Sequence, residues 1–303
     1  MRIMNSKKYL IGIDVGGSHV TAAMIDAASF EMLPGSEARR HIDTHGEPDA
    51  VLSVFVEAVR ASAGDLWGSV EGMGLAFPGP FDYPNGICLI TPEQNKFTKF
   101  YGVNVKQELA ARLDFAKPIK FLNDAAAFAI GEYFAGGAKG SARALVITLG
   151  TGFGASFLAE GRPVVTGGVV PEGGELWDQP FKDGIADDNF STRGLIKAWK
   201  AASGEDASGV KEIADAARGG DVRAVAVFNT FGAELAEFVA PWFKKFGVDG
   251  FVIGGNIANA MDLFVAAFEG GLQARGISGV AVRPSQLGEN AQIIGAALSL
   301  AVA

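Results

Sequence analysis

An acid and two glycines end the first apolar run of the chain, in the segment YLIGIDVGGSH (residues 9–19). One interpretation is a tight turn in which Gly16 and Gly17 supply positive φ and Asp14 bonds the local backbone. The alternative is that the glycines expose consecutive N–H groups that bind an anion, to which Ser18 adds a hydroxyl. Asp14 would repel this anion unless a hydrated Mg²⁺ stood between them. The segment therefore indicates either a plain turn or part of a magnesium and phosphate site.

Two more glycine-rich turns follow apolar strands later in the chain. The turn TGFG follows ALVITLG (residues 144–150), and two hairpins of this kind fit the opposite ends of a polyphosphate. Gly254 and Gly255 end the strand FVIGGN, either as a simple strand-to-helix turn or as a bare backbone against which adenine or ribose lies. Asn256 would cap the following helix or bond the nucleoside.

The dipeptide Asn123-Asp124 stands between a short strand and the strong helical pattern AAAFAIGEYFAG. Both residue types are favoured at helix N-caps, so a purely structural role is one interpretation. A carboxylate held at a strand end, where a helix begins, is also well placed to accept a proton from a substrate hydroxyl. Phosphoryl transfer to an alcohol needs such an acceptor, because the hydroxyl loses its proton as the P–O bond forms.

Acids also gather in a long loop region at about residues 160–192, in the segment VVPEGGELWDQP. Glu172, Glu175 and Asp178 lie close to Trp177 there, and solvated loop acids are the usual explanation for such residues. A sugar site, however, needs carboxylates and amides for vicinal hydroxyls, often over an aromatic platform. Asn95, in PEQNKF, would supply such an amide, or it is a surface turn residue.

Composition excludes several other classes of function. The 303 residues carry a formal net charge of -8 and no block of Lys or Arg, so neither nucleic acid nor an anionic membrane is an expected partner. Without an uninterrupted apolar stretch, a secretory signal or membrane span is not expected, and we predict a cytoplasmic protein. The single cysteine, Cys88, excludes an intramolecular disulfide and a Cys-rich zinc site. All three histidines lie within the first 45 residues, which favours carboxylate chemistry over histidine chemistry.

The elements that must position these residues follow from local patterns. Two strand-turn-strand units of one design, about one domain length apart, suggest duplicated lobes. We place an N-terminal lobe at residues 1–122 plus 288–303 and a C-terminal lobe at 123–287. Strands are predicted at 8–13, 20–25, 71–77, 119–122, 144–150, 155–162 and 251–256. Helices are predicted at 50–63, 104–114, 192–203, 209–218, 221–246 and 289–302, with further helices after residues 124 and 256.

With these pieces in order, the chain resembles the ROK family of sugar kinases, within the wider actin-like ATPase group. The resemblance covers nearly the whole chain, and five motifs in the correct order make it specific. The segments similar to family motifs are IGIDVGGSHVTAAMID for the first phosphate motif, GLAFPGPFDYPNG for the Pro-Gly segment, FLNDAAAFAIGE for the catalytic Asn-Asp motif, ALVITLGTGFGASFLAEGR for the second phosphate motif and FVIGGNIANA for the adenosine motif.

The resemblance implies a two-lobed α/β protein with a ribonuclease-H-like sheet in each lobe and an active-site cleft between the lobes. It implies ATP and Mg²⁺ as cofactors, a sugar as substrate, and Asp124 as the general base on the sugar hydroxyl. A homodimer is also consistent with it, since many members of this fold dimerise. The implied sugar ligands are Asn95, Asn123, Glu175 and Asp178; the implied Mg²⁺ and nucleotide residues are Asp14 (to the metal, through water), Gly16, Gly17, Ser18, Gly150, Thr151, Gly152, Gly154, Gly254, Gly255 and Asn256.

The chain departs from the family pattern where the family commonly has a Gly-Glu-x-Gly-His segment, whose His binds sugar and zinc, followed by a cysteine cluster. Here the segment reads Gly174-Glu175-Leu176-Trp177-Asp178, and the following DQPFKDGIADDNFSTRGL contains no cysteine. We therefore expect no structural zinc. Asp178 would replace the His as a sugar ligand, while Trp177 in place of a glycine alters the shape of the pocket.

We predict from these observations the ATP-dependent phosphorylation of a hydroxyl on a hexose or hexose derivative. One alternative is a non-catalytic sugar or nucleotide sensor of the same fold, against which the retention of Asp124 and both glycine turns argues. Another is an actin-like kinase or phosphatase that acts on a non-sugar acceptor. The Asn-Asp pair, followed by Gly-Glu, favours a sugar alcohol as the acceptor.

Overall fold

The computed structural model describes residues 8–301. The chain forms two compact units: one comprises the chain up to Ala135 together with the chain from Glu289, and the other comprises Gly136–Gly288. Both units combine a five-stranded sheet with helices, so the predicted α/β class is confirmed. Among residues 8–301, no helix has the length and apolar character needed to cross a membrane.

The first unit is built on a sheet with the strand order β3-β2-β1-β4-β7. Its first three strands are antiparallel, and β1, β4 and β7 are parallel. Its elements up to residue 135 are β1 (Tyr9–Val15), β2 (His19–Asp26), β3 (Ala38–His41), α1 (Pro48–Ala63), β4 (Val70–Ala76), β5 (Phe81–Asp82), β6 (Ile87–Cys88), α2 (Val105–Leu113), β7 (Ile119–Leu122) and α3 (Asp124–Ala135).

The second unit repeats this topology, with the order β10-β9-β8-β13-β14 and the same sequence of antiparallel and parallel pairs. The duplication suggested by the two hairpins is therefore present in both sheets. Its elements are β8 (Arg143–Leu149), β9 (Phe153–Ala159), β10 (Arg162–Pro163), β11 (Pro180–Phe181), β12 (Gly184–Ile185), α4 (Ala186–Phe190), α5 (Thr192–Ser203), α6 (Val210–Arg218), α7 (Val222–Phe246), β13 (Gly250–Gly254), α8 (Met261–Ala274) and β14 (Ala281–Pro284).

Helix α9 (Asn290–Leu298) returns to the first unit and packs against β1, β4 and α3. Glycines allow this contact, because a Cβ at Gly74 would lie 1.7 Å from the Ala296 carbonyl oxygen and one at Gly12 would lie 1.9 Å from that of Ile293. The helix backbone therefore rests directly on the sheet. Helix α1 covers the sheet through β2 and β3, and strand β1 is apolar along nearly its whole length because both of its faces are covered.

Helix α3 belongs to the first unit, whereas the boundary drawn from the sequence, between residues 122 and 123, assigned it to the second lobe. The physical reason is its close contact with α9. A Cβ at Gly295 would lie 1.8 Å from the Ala127 carbonyl oxygen, and one at Gly131 would lie 2.1 Å from that of Ala291. Two helices whose backbones approach this closely cannot separate into different units.

Candidate functional site

The first glycine turn closes the β1–β2 hairpin, with the Gly16 N–H donating to the His19 carbonyl oxygen at 2.9 Å. Neither Gly16 nor Gly17 has positive φ, so the backbone shape of the turn does not itself require glycine. A Cβ at Gly17 would meet nothing within 4 Å, and Ser18 is exposed with its Oγ 2.9 Å from His19 Nδ1. The missing side chains therefore leave the backbone open, which supports the anion-binding interpretation of this turn.

Asp14 lies in a row across the first sheet, directly opposite Thr21, which is in turn opposite Arg39. Residues opposite one another on neighbouring strands point to the same face of the sheet. Burial raises the pKa of Asp14 to about 6, the negative charges of Asp124 and Glu289 raise it as well, and the Arg39 guanidinium opposes the increase. Arg39 is also within 3.9 Å of Glu289. The sequence interpretation did not identify Arg39, since its position on the face of Asp14 depends on strand register.

Asn123 and Asp124 stand at the junction of β7 and α3. The Ala125 N–H donates to Asn123 Oδ1 at 2.8 Å and to Asp124 Oδ1 at 2.9 Å. Asn123, which precedes the helix, therefore has the predicted capping role, whereas Asp124 is the first helical residue. Asn123 Nδ2 also lies 3.5 Å from the hydroxyl of Tyr83, which donates to the Phe77 carbonyl oxygen. These bonds fix the dipeptide at the end of β7, beside β4, without excluding the proton-acceptor role of Asp124.

Burial raises the pKa of Asp124, while the positive charge of Lys96 lowers it. Lys96 directly follows Asn95, which ends a 3-10 turn (Pro92–Gln94) in the left-handed conformation and is exposed. Asn95 therefore has the turn role that the sequence left open, and the residue of this loop that acts on Asp124 is its neighbour. No local signal distinguishes Lys96 from a surface lysine, and the sequence interpretation did not select it.

The second glycine turn lies in the second unit, between β8 and β9. Thr192, at the start of α5, donates to the Gly150 carbonyl oxygen through its N–H at 2.7 Å and through its hydroxyl at 2.9 Å. On the other side, the Phe153 N–H donates to Asp187 Oδ1 at 2.6 Å, and Arg193 pairs with Asp187 Oδ2 at the same distance. The turn is therefore held from both sides by residues of α4 and α5.

The open backbone of the first turn recurs here. Gly150, Gly152 and Gly154 do not have positive φ, and a Cβ at Gly150 would meet nothing within 4 Å. Thr151 is exposed at the tip of the turn. Asp187 and Thr192 are functional candidates that sequence analysis did not single out, because they lie in a region without periodicity.

The predicted nucleoside turn, Gly254-Gly255-Asn256, has a structural requirement for glycine. Gly255 has φ of 81°, and a Cβ there would lie 2.3 Å from the Leu149 carbonyl oxygen, at the end of β8. This contact brings the turn next to the glycine turn that follows Leu149. Asn256 begins a short 3-10 helix (Asn256–Ala260) and is exposed, and its side chain does not cap that helix.

In the acidic loop of the second unit, Glu175 is bonded to Trp177, whereas Asp178 is bonded to its neighbour Gln179. The indole Nε1 of Trp177 donates to Glu175 Oε2 at 2.7 Å, while Asp178 is exposed and accepts from Gln179 at 3.0 Å. Glu172 begins a short 3-10 turn (Glu172–Gly174) and is exposed. Trp177 thus has a direct contact with a predicted sugar ligand.

The donor atoms of the first unit suit a hydrated magnesium ion. Asp14 and Asp124 offer carboxylate oxygens, which Mg²⁺ prefers, and it commonly binds through only one or two carboxylates while keeping several waters. Within residues 8–301 there is no group of three or more His, Cys, Asp and Glu side chains arranged to hold a metal ion. The two carboxylates are compatible with such a hydrated ion.

Comparison with known proteins gives a consistent result. The model of the ROK family matches residues 10–302. The glucokinase of Thermotoga maritima is 26% identical over 282 residues, which cover 85% of this chain and 84% of that protein. An N-acetyl-D-glucosamine kinase of Haemophilus influenzae is 26% identical over 276 residues, covering 84% of this chain and 86% of that protein. Among solved structures, a ROK hexokinase from Thermus thermophilus matches with a TM-score of 0.78 at 23% identity, covering 97% of this chain and 99% of the other.

Proposed function

The chain belongs to the ROK family, and on this basis we propose that it is an ATP-dependent sugar kinase. The reaction transfers the γ-phosphoryl group of ATP to a hydroxyl of a hexose or hexose derivative. The observation that carries the proposal is the placement of Asp124. A half-buried carboxylate at the start of α3, with a raised pKa and a neighbouring amide, combines the features of a proton acceptor. The two glycine turns support it, since no side chain covers the backbone at Gly17 and Gly150, which leaves room for an anion to approach.

In this proposal Asp124 is the general base. It accepts the proton of the sugar hydroxyl while the new P–O bond forms and the bond between the β- and γ-phosphates breaks, so that ADP leaves. The raised pKa makes the carboxylate a better proton acceptor than an ordinary Asp. Because Asn123 is fixed by Ala125 and Tyr83, its amide has a defined direction for holding the sugar beside Asp124.

The glycine turns and the adjoining acid bind the nucleotide in this proposal. The backbone at Gly16 and Gly17, with the Ser18 hydroxyl, and the backbone of the turn from Gly150 to Gly154 would hold phosphate oxygens through the N–H groups that are not bonded within the protein. The N–H groups of Gly16, Gly150 and Phe153 are bonded within the protein. Mg²⁺, when bound, neutralises phosphate charge, and Asp14 would hold it through water. Thr192 and Asp187 keep the second turn in its observed conformation. The turn at Gly254 and Gly255 contacts the nucleoside.

The remaining predicted sugar ligands are Glu175 and Asp178 of the second unit and Asn95 of the first. Glu175 is retained, because its carboxylate is oriented by Trp177 and is suited to a sugar hydroxyl. Asp178 and Asn95 are exposed, and we give them a smaller part in sugar binding than Glu175. The names of the related glucokinase and N-acetyl-D-glucosamine kinase support a hexose or an N-acetylated hexose as the acceptor.

The test is a coupled assay of ADP release with Mg·ATP and a panel of hexoses, amino sugars and N-acetylated sugars. Wild type, Asp124→Ala and Asp65→Ala are compared, the last being an exposed acid of the same unit. We expect sugar-dependent ADP release that Asp124→Ala abolishes and Asp65→Ala retains. Tight nucleotide binding without ADP release for any sugar would favour the sensor. Release from a non-sugar alcohol would favour a different acceptor.

A further inference from the structure

Trp177 is a large aromatic residue with 44% of its surface exposed, next to a predicted sugar ligand. Its indole Nε1 donates a hydrogen bond to Glu175 Oε2 at 2.7 Å. A bond of this length between an N–H and a carboxylate is charge-assisted and stronger than one between neutral groups. The hydrogen bond therefore holds the exposed ring of Trp177 next to the carboxylate of Glu175.

The backbone beneath this ring is held in place. Leu176, the preceding residue, is fully buried in the core of the second unit. The Asp187 N–H donates to the Trp177 carbonyl oxygen at 2.9 Å, and the Gln179 N–H donates to that of Leu176 at 3.2 Å. Because Asp187 also accepts from the second glycine turn, the segment is tied to the predicted phosphate site. These hydrogen bonds and the burial of Leu176 therefore hold the backbone at the exposed Trp177 in place.

The backbone that leads to Glu175, the partner of Trp177, is also constrained. It follows Gly174, whose φ is 71° and where a Cβ would lie 2.5 Å from the Val164 carbonyl oxygen. A carboxylate has about four lone-pair positions on two oxygens. The indole occupies one of those on Oε2, which leaves Oε1 to accept from a ligand hydroxyl. The carboxylate is therefore preorganised to bind one hydroxyl with a defined direction.

We propose that Trp177 is a specificity-determining residue of the acceptor site: its N–H positions Glu175, and its ring is the surface on which a pyranose rests. This inference depends on the proposed sugar kinase function and names the class of acceptor. The C–H face of a pyranose with equatorial hydroxyls is apolar and flat enough to lie on an aromatic ring, and the hydroxyls at its edge reach a neighbouring carboxylate. A linear polyol has no such face, and the site discriminates against it.

The experiment combines sugar binding, followed by tryptophan fluorescence, with steady-state kinetics of ADP release. The proteins are wild type, Trp177→Phe, Trp177→Ala and the control Trp242→Phe, whose ring lies in α7 against Phe157. The ligands are the pyranose that gives the fastest turnover, or glucose if none does, and sorbitol as the linear control. Trp177→Phe removes the N–H and keeps a ring, whereas Trp177→Ala removes both.

We expect the pyranose to change the emission of wild type and Trp242→Phe, and to leave that of Trp177→Phe unchanged. The KM for the sugar should rise about five- to tenfold in Trp177→Phe, the effect of one hydrogen bond, and about 30- to 100-fold in Trp177→Ala. The KM for ATP should stay within about twofold in both, since the ring contacts the acceptor only. Melting temperatures should not differ, because the ring is exposed.

Two outcomes separate this inference from the proposed function. A wild-type KM for the sugar in both Trp177 variants would overturn the inference and leave the kinase proposal standing. Saturable quenching by glucose that depends on Trp177, without ADP release from any sugar, would support the sugar contact and refute the kinase. The absence of both turnover and quenching would overturn the inference and the kinase proposal. Equal quenching by sorbitol and by the pyranose would overturn the preference for a pyranose.

Discussion

The negative charge of Asp124, the first residue of α3, raises the pKa of Asp14, which lies in β1 of the same unit. Asp14 lies near the end of β1, and Asp124 follows the end of β7. Burial raises the pKa of Asp14 to about 6, and the charge of Asp124 is the next largest contribution. Two carboxylates of this kind destabilise the protein when both are ionised, and a bound cation would offset that repulsion. The repulsion is therefore a cost to folding stability, which the proposed binding of Mg²⁺ near Asp14 would offset.

Replacing Asp14 by Asn should stabilise the protein at neutral pH. The pKa of Asp14 is about 6 in the folded protein, above its ordinary value of 3.8, so the folded state holds this proton more tightly than the unfolded state. The stabilisation that results is fully present below the ordinary pKa and is lost as pH rises through the folded value. We expect Asp14→Asn to raise the free energy of unfolding by about 1–3 kcal/mol at pH 7.5 and by close to nothing at pH 3.5.

The measurement is urea unfolding at both pH values, with Asp65→Asn as the exposed control, which should not change stability at either. An equal gain for Asp14→Asn at both pH values would assign the effect to packing and not to charge. In a separate assay of ADP release, Asp14→Asn should lose kinase activity, because the proposal assigns Asp14 to Mg²⁺.

Removing the charge of Lys96 should move the pH dependence of turnover. Burial raises the pKa of Asp124, and Lys96 opposes this increase. Because a general base must be deprotonated, turnover falls as pH decreases through the pKa of Asp124. We expect Lys96→Met to shift the acid limb of kcat to higher pH, so that activity is lost at a less acidic pH than in wild type.

Lys99→Met is the matched control, since Lys99 lies in the same loop and pairs with Glu47 on the surface. Its acid limb should coincide with that of wild type. An unchanged limb in Lys96→Met would show that the limb reports a group other than Asp124.

Asp187→Ala should weaken nucleotide binding through the second glycine turn. The change removes the acceptor of the Phe153 N–H and the partner of Arg193. An unsatisfied N–H costs about 1–3 kcal/mol, so we expect the KM for ATP to rise about 5- to 100-fold. Arg193→Ala, which keeps the bond to Phe153, should raise it much less, and Asp183→Ala, an exposed neighbour, should not change it. If Asp187→Ala and Arg193→Ala raised the KM for ATP equally, the ion pair between Asp187 and Arg193, and not the bond to Phe153, would account for the effect.

Two glycine-to-alanine changes in the second unit should have opposite effects on the free energy of unfolding. Gly255→Ala forces a side chain into positive φ and into the Leu149 carbonyl, and should lower the free energy of unfolding by about 3 kcal/mol or more. Gly270 lies on the exposed surface of α8, where an added methyl group would meet nothing within 4 Å. Gly270→Ala should therefore raise the free energy of unfolding by about 0.5–1 kcal/mol. Thermal unfolding of both variants measures this difference, and a stable Gly255→Ala protein would contradict the tight contact.

The sequence by itself determined the inner strands of both sheets, the long helices and the turns that we propose to bind phosphate. Apolar runs and glycine turns act over a few neighbouring residues, so the hairpins around Asp14 and Gly150, and the junction at Asp124, could be predicted. The repeated hairpin also indicated the repeated sheet. The edge strands β3 and β14 and the long region at about 160–192 were not predicted. These strands, like β10, β11, β12 and helix α4, have too few residues to show a pattern.

Only the tertiary structure decided which side chains act on those turns. Arg39 reaches the face of Asp14 through strand register, Lys96 acts on Asp124 from another loop, and Asp187 binds a turn that precedes it in the chain. Helix α3 joins the first unit because Gly295 lets α9 approach it. These contacts join residues far apart in the sequence, and their geometry is set by packing, on which a local pattern carries no information.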